Sequence, residues 1–297
     1  MISILIPIYN TSIVKLVQSL VDQCVGTKRA FEIICLDDQS NHKYLLENRE
    51  INALLGVNYV ELSEKYGRAK IRNKLASLAR FDHLLFIDSD SKISSKKYIK
   101  RYIEAILSNR DLVYYGGRRY SNKRPKATSK LLHWLYGTHR ESPAAKLRNR
   151  RPIEFLHTNN VLVPKRYFDK EQFDISIEGY GYEDIEWAQR LNSITSIRHI
   201  NNPITHGTLK KTEQFLSDIR SSLQNLKRLH SDQKIQTSKL IRTYNKLEKY
   251  GLLGATIMLL KRTESQIYER LTSEKTKLIY LDLYKLHYFA ELMMRDR

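Results

Sequence analysis

The chain has 297 residues, 41% of them hydrophobic, with two cysteines and a net charge of +19. That is enough apolar material for one large α/β domain with an appendage, or for two domains. Cys24 and Cys35 sit in apolar surroundings without metal-ligand spacing, which excludes a disulfide framework and reads as two small core residues in a protein of a reducing compartment.

Met1 begins a short apolar run with no basic segment before it, so the start of the chain reads as a strand and not as a signal peptide. This first strand covers Ser3 to Ile8 and ends in Pro7-Ile8-Tyr9-Asn10. Thr11 or Ser12 is placed to cap a helix in which Ile13, Leu16, Val17 and Leu20 recur at helical spacing. Phe31 to Leu36 is a second buried strand, running into Asp37-Asp38-Gln39-Ser40, and Val57 to Leu62 is a third. Gly67-Arg68-Ala69-Lys70-Ile71-Arg72-Asn73 then opens a helix. Leu84 to Ile87 is the fourth strand, followed by a helix over about 96–107 and a strand at Leu112 to Tyr115. Alternating strands and helices predict an α/β fold with a mostly parallel central sheet flanked by helices.

The segment 91–150 carries sixteen Lys and Arg against three Asp and Glu, an excess that implies an anionic partner. A basic insertion at about 117–151 interrupts the rhythm, with an apolar island at Leu131, Leu132, Trp134, Leu135 and Tyr136. Trp134 and Tyr136 offer an acceptor platform, although such an island more often packs the insertion onto the body. Regular structure resumes at Phe155 to Pro164. The loop Gly179-Tyr180-Gly181-Tyr182 leads into Glu183-Asp184 and a helix through Trp187 and Leu191, and a strand at Ile197 to Ile200 precedes His206. Beyond about Thr212 glycine and proline almost vanish, and Phe215, Ile219, Leu223 and Leu226 follow helical spacing. The predicted organisation is a domain over 1–210 and a helical extension over 211–297. The apolar run Gly251 to Leu260 falls short of the ~20 residues of a membrane span.

The four apolar residues Leu84 to Ile87 run straight into Asp88-Ser89-Asp90. Ligands of open α/β sheets sit outside the carboxyl ends of strands, and two acids this close ask for a cation. Oxygen ligands of this kind select Mg²⁺ or Mn²⁺, usually shared with substrate phosphates. A solvated turn explains the same residues when they are taken alone. Likewise, Glu183 and Asp184 suit the N-terminus of a helix as caps, and a lone His206 after a strand is commonly just a surface or core histidine.

Taken together and in order, Pro7-Ile8-Tyr9-Asn10, Asp37-Asp38, Gly67-Arg68-Ala69 with Arg72-Asn73, Asp88-Ser89-Asp90, Gly179 to Asp184 and His206 resemble the family 2 inverting glycosyltransferases over roughly residues 1–210. The loop at 179–184 looks most like galactosyltransferase-type and chondroitin-polymerase-type members. The resemblance implies the nucleotide-diphospho-sugar transferase (GT-A) fold with an α-helical C-terminal extension. It implies transfer of a hexosyl or N-acetylhexosaminyl group from a nucleotide sugar, by default a UDP-sugar, to a hydroxyl of a glycan or lipid-linked glycan in polysaccharide or lipopolysaccharide-type synthesis. By the same resemblance Asp90, Asp88 and His206 hold Mn²⁺ or Mg²⁺, and Asp88 with Ser89 also supports the ribose or phosphate. Pro7, Tyr9 and Asn10 pack on the nucleotide base, Asp37 and above all Asp38 hydrogen-bond it, and Gly67, Arg68 and Arg72 grip base and diphosphate. Asp184 is the general base, with Glu183, Gly181 and Tyr182 on the acceptor side. Two departures stand out: Gln39 and Tyr182 occupy positions where the family usually has glycine.

A sugar-phosphate nucleotidyltransferase is the alternative enzyme, but it would carry a glycine-rich phosphate loop where Pro7-Ile8-Tyr9-Asn10 stands. A nucleic-acid-binding protein is suggested by charge alone, and no zinc spacing, aromatic RNA-binding motif or basic recognition helix accompanies it. The partners expected are therefore the nucleotide sugar and a glycan acceptor, anionic if the basic segment meets it, with no specific nucleic acid. Late helices carrying Lys, Arg and aromatics can lie on a membrane or form a homodimer. The expected location is cytoplasmic, at the inner face of the membrane if those helices dock there.

Overall fold

The computed structural model describes residues 1–235 and 238–294. They form two compact units. The first unit combines Met1–Tyr120, Ser142–Glu178 and Glu183–Thr208; the second combines Ser121–Glu141, Gly179–Tyr182 and the residues from Leu209 onward.

In the first unit the strands and helices run β1 (Ile2–Ile8), α1 (Val14–Gly26), β2 (Phe31–Asp37), α2 (His42–Arg49), β3 (Val57–Glu61), α3 (Gly67–Leu78), β4 (His83–Ile87), β5 (Ser91–Lys92), α4 (Tyr98–Ser108), β6 (Val113–Tyr115) and β7 (Arg118–Arg119). After the excursion into the second unit, which contains α5 (Leu131–Tyr136), come α6 (Ala145–Arg148), β8 (Asn160–Pro164), α7 (Lys165–Lys170), α8 (Glu183–Ile194), β9 (Ile197–His199) and β10 (Ile204–His206). Seven strands make one sheet in the order β3-β2-β1-β4-β8-β6-β9, and β5-β10-β7 make a second, smaller sheet.

The apolar runs are continuous because both faces of the large sheet are covered. Ile4, Ile6, Ile33, Cys35 and Leu85 pack with α1 and α4 on one face. Leu5, Ile34, Leu36, Leu84 and Phe86 alternate with them and pack with α3 and α8 on the other. Trp187 of α8 is fully buried there; its ring stacks on Phe173 at 4.4 Å and its indole N–H donates to the Glu171 carbonyl at 2.7 Å.

One local expectation changes. The cap of α1 is neither Thr11 nor Ser12: the Asn48 side chain, fully buried, accepts from the Ile13 amide at 2.9 Å, and Ser12 donates instead to Glu47. A tertiary partner from α2 outcompetes the local hydroxyl. The sheet is parallel through β3-β2-β1-β4 and again at β6-β9, but β8 runs antiparallel to both β4 and β6. The residues that enter β8 therefore arrive at the same edge where β4 ends.

The second unit is helical. It holds α5 with α9 (Thr212–Ser231), α10 (Lys239–Lys249), α11 (Leu253–Arg262), α12 (Glu264–Thr272) and α13 (Leu278–Met294). Leu216, Leu223 and Leu226 of α9 are fully buried, and Tyr244 of α10 meets Phe289 of α13 edge-on at 5.7 Å. The apolar island is the helix α5; His133 stacks on Phe215 at 4.6 Å, Tyr136 tilts against the same ring, and Trp134 donates to the Ser121 carbonyl. Among the described residues no helix is long and apolar enough to cross a membrane.

Candidate active site

The carboxyl edge of the large sheet collects most of the residues singled out above. Beyond β1, Tyr9 is half exposed under the Lys65 ammonium, 4.3 Å from the ring centroid. Pro7 remains within β1, paired with Leu36 of β2. Asn10 turns with a positive φ of 50°; its amide donates to Ser40 and its side-chain oxygen accepts from the Asn41 amide, each at 2.7 Å.

Asp37 and Asp38 diverge. Asp37 is fully buried, where it accepts from the Ser40 amide and the Tyr59 hydroxyl. Burial pushes its carboxyl above the ordinary range despite those bonds. Asp38 accepts from the backbone amides of Tyr66 and Gly67, at 2.5 and 3.0 Å, and so fastens the start of α3. The carboxylate–helix geometry is that of an N-terminal cap.

From α3, two arginines reach toward the acids. Arg72 is buried, and its guanidinium donates to Asp88 Oδ1 at 2.8 Å and to the Arg68 carbonyl at 3.0 Å. Arg68 donates to Glu183 Oε1 at 2.7 Å. Burial disfavours the charged form of Asp88, yet the Arg72, Arg68, Arg118 and His206 charges outweigh it and hold the carboxyl below its usual range. Ser89 lies half-buried between the two aspartates.

Asp90 faces His206, with Nδ1 to Oδ2 at 3.0 Å. The small sheet builds this contact: β10 pairs antiparallel with β5, His206 opposite Ser91. Gly207 completes it, because its amide donates to the Asp90 carbonyl and a Cβ there would lie 2.4 Å from that oxygen. The Tyr120 ring lies 5.2 Å from the His206 ring. Among the described residues no group of three or more His, Cys, Asp or Glu is arranged for a metal ion. A carboxylate and an imidazole side by side are donor types found together at divalent first-row metal sites, whose remaining ligands phosphate and water can supply.

Asp184 opens α8. Its Oδ1 accepts from the Ile185 amide and its Oδ2 faces His157 Nδ1 at 3.0 Å. Burial works against ionisation here too, but the His157 hydrogen bond and charge, Arg68 and the Ile185 amide leave the carboxyl lower than usual. No sequence motif marks His157: the motifs stand where strands end, whereas His157 precedes β8, which starts at this edge. Asn160 was likewise passed over as a site element; it accepts from the Tyr98 and Tyr102 hydroxyls and donates to the Gly117 and Asn202 carbonyls.

Gly181 and Tyr182 fall in the second unit. Gly181 lies against Ser222 of α9, where a Cβ would come within 2.5 Å, and its carbonyl accepts from Asn225 at 3.2 Å. Both departures from glycine keep a left-handed backbone: φ is 63° at Gln39 and 71° at Tyr182, a conformation that L side chains seldom adopt.

The sequence model of Glycosyl transferase family 2 matches residues 3–171, more than half of the chain. The chain belongs to this family. A curated relative, the poly(ribitol-phosphate) beta-glucosyltransferase of Bacillus spizizenii, is 34% identical over 105 residues, which is 34% of this chain and 16% of that protein. The chain thus aligns with about a sixth of that relative's length. S. aureus TarS 1–349 in complex with UDP-GlcNAc has a TM-score of 0.54 at 18% identity, covering 100% of this chain and 92% of that one. GalNAc-T7 with UDP, GalNAc and Mn²⁺ has a TM-score of 0.53 at 16% identity, covering 71% and 43%. These likenesses give the family 2 chain the GT-A fold with added C-terminal helices.

Proposed function

We propose that this family 2 protein transfers a sugar from a UDP-sugar to a hydroxyl of a glycan acceptor, with inversion and with help from a divalent cation. One observation carries the reading: Asp88, Arg72, Arg68 and Glu183 form a continuous chain of contacts from the end of β4 to the start of α8. The donor end and the acceptor end of a single displacement are thereby held in one frame. TarS with UDP-GlcNAc and GalNAc-T7 with UDP and Mn²⁺ support the choice of nucleotide and cation. The B. spizizenii relative supports an anionic polyol-phosphate polymer as the acceptor.

In this mechanism Asp90 and His206, which face each other at 3.0 Å, would hold the cation, while Asp88 keeps one oxygen on Arg72. The cation, when bound, offsets the charge that grows on the departing diphosphate. Arg68 and Arg118 add positive potential at the same place. Tyr9 offers a ring face to the base, while Asp38 fixes the α3 backbone beside it. Asp184 takes the proton of the acceptor hydroxyl as that oxygen attacks the anomeric carbon. His157 holds the Asp184 carboxylate in place, and Glu183, tied to Arg68, lines the acceptor side.

Titration calorimetry with UDP tests the cation step. Binding is expected to need Mn²⁺ and to weaken about tenfold or more in Asp90→Asn and in His206→Asn. UDP binding of equal strength with and without the metal contradicts the reading.

A further inference from the structure

The apolar run that is too short to span a bilayer, Gly251 to Leu260, forms α11 and the turn before it. Only part of it packs inward: Leu253 and Leu260 are buried. Tyr250 is 63% exposed, Leu252 54%, Met258 56% and Leu259 61%. Leu252, Ala255 and Leu259 follow each other at helical spacing, as do Gly254 and Met258, so the exposed residues make a stripe and not a scatter. Unpartnered apolar stripes of this kind mark interaction sites.

The neighbouring charges identify the partner. Residues 239–262 contain six Lys and Arg and one acid, Glu248. Arg242, Lys246 and Lys249 are exposed on α10 at positions that share a face, and Lys261 and Arg262 close α11. A basic helix beside a greasy one suits a surface that is negatively charged outside and hydrocarbon beneath. A second copy of the chain would bring the same positive charge to the contact.

We propose that α10 and α11 dock the protein on an anionic lipid surface, α11 lying in the interface and α10 resting on the headgroups. Apolar burial and attraction to acidic headgroups then act together. This surface belongs to the helical unit and does not depend on the identity of the donor sugar.

Sedimentation of the full chain with vesicles tests it. The chain should pellet with phosphatidylglycerol–phosphatidylcholine vesicles and stay in solution with phosphatidylcholine alone. Met258→Ser with Leu259→Ser should weaken partitioning about tenfold or more, and Lys246→Gln with Lys249→Gln should weaken it and reduce its salt dependence. Unchanged melting temperatures confirm that both pairs fold. The proposal is overturned by absence of binding to the anionic vesicles, or by binding that neither pair alters. It is equally overturned if the serine pair dissolves a dimer in analytical ultracentrifugation and leaves vesicle binding intact, which assigns the stripe to a second copy.

Discussion

At the scale of single residues, the acids of the site are set by their partners. Asp88 depends on Arg72, a guanidinium almost wholly buried whose Nε has no hydrogen-bond partner among the described residues. Removing one member of a buried pair strands the other. Arg72→Met is therefore expected to cost about 3 kcal/mol or more of stability and to raise the Asp88 carboxyl, as seen by denaturant unfolding and by NMR titration; an unchanged midpoint contradicts the pairing. His157 faces the Asp184 carboxylate at 3.0 Å, and its proposed part is to hold that group in place. His157→Gln should lower kcat about tenfold or more and leave the KM for the nucleotide sugar near its original value. A change confined to KM would place His157 in donor binding instead. Neither partner was legible in advance as a partner: Arg72 stood out only through the family resemblance, and His157 carried no motif at all. Gln39 and Tyr182 were legible as departures, and their left-handed backbones show what the family's glycines provide at those points.

At the scale of elements, the strands were the most readable part because their apolar runs are long and punctuated by polar residues. The reversal of β8 was not readable, since direction depends on which neighbour a strand finds and not on its own composition. Helix ends were obscured for a similar reason. Asn48 lies thirty-five residues from the Ile13 amide that it caps, and it also donates to the Thr11 carbonyl. Asn48→Ala should cost about 1–2 kcal/mol, the range for a lost cap, whereas Ser12→Ala should cost far less. The end of β9 adds a pH response. His199 accepts from Arg148 and donates to the Pro152 carbonyl, and burial pushes it down to about 4. The unfolded chain takes up that proton near pH 6.5, so between about 6.5 and 4 it binds more protons than the folded chain. Stability should fall across that window as the pH drops, by up to about 3 kcal/mol from this group, with His83 shifted in the same direction. His199→Gln should flatten the slope of unfolding free energy against pH; an unaltered slope would assign the acid loss elsewhere.

At the scale of the whole molecule, the excess of positive charge was visible in composition but its division was not. Arg118 and Arg119 form β7 in the first unit, and the Arg118 charge acts on Asp88. Lys123 and Arg124 belong to the second unit, where Arg124 reaches the Glu274 carbonyl at 3.5 Å. Arg118→Gln should therefore impair use of the donor, while Lys123→Gln with Arg124→Gln should raise the KM of an anionic acceptor only. Steady-state kinetics with each substrate varied in turn separates the two, and identical effects from both changes would refute the division. The two units also differ in legibility. The first is spelled out by motifs at strand ends, whereas the helical unit shows its periodicity but no chemistry that a motif could announce.

In the proposed mechanism Asp184 removes the acceptor proton in a site that binds the nucleotide sugar without it. The most direct measurement pairs calorimetry of UDP-sugar and Mn²⁺ binding with a transfer assay on Asp184→Asn. Donor affinity should stay within about twofold of the parent while transfer falls about a hundredfold or more. Undiminished transfer by that variant would contradict that role.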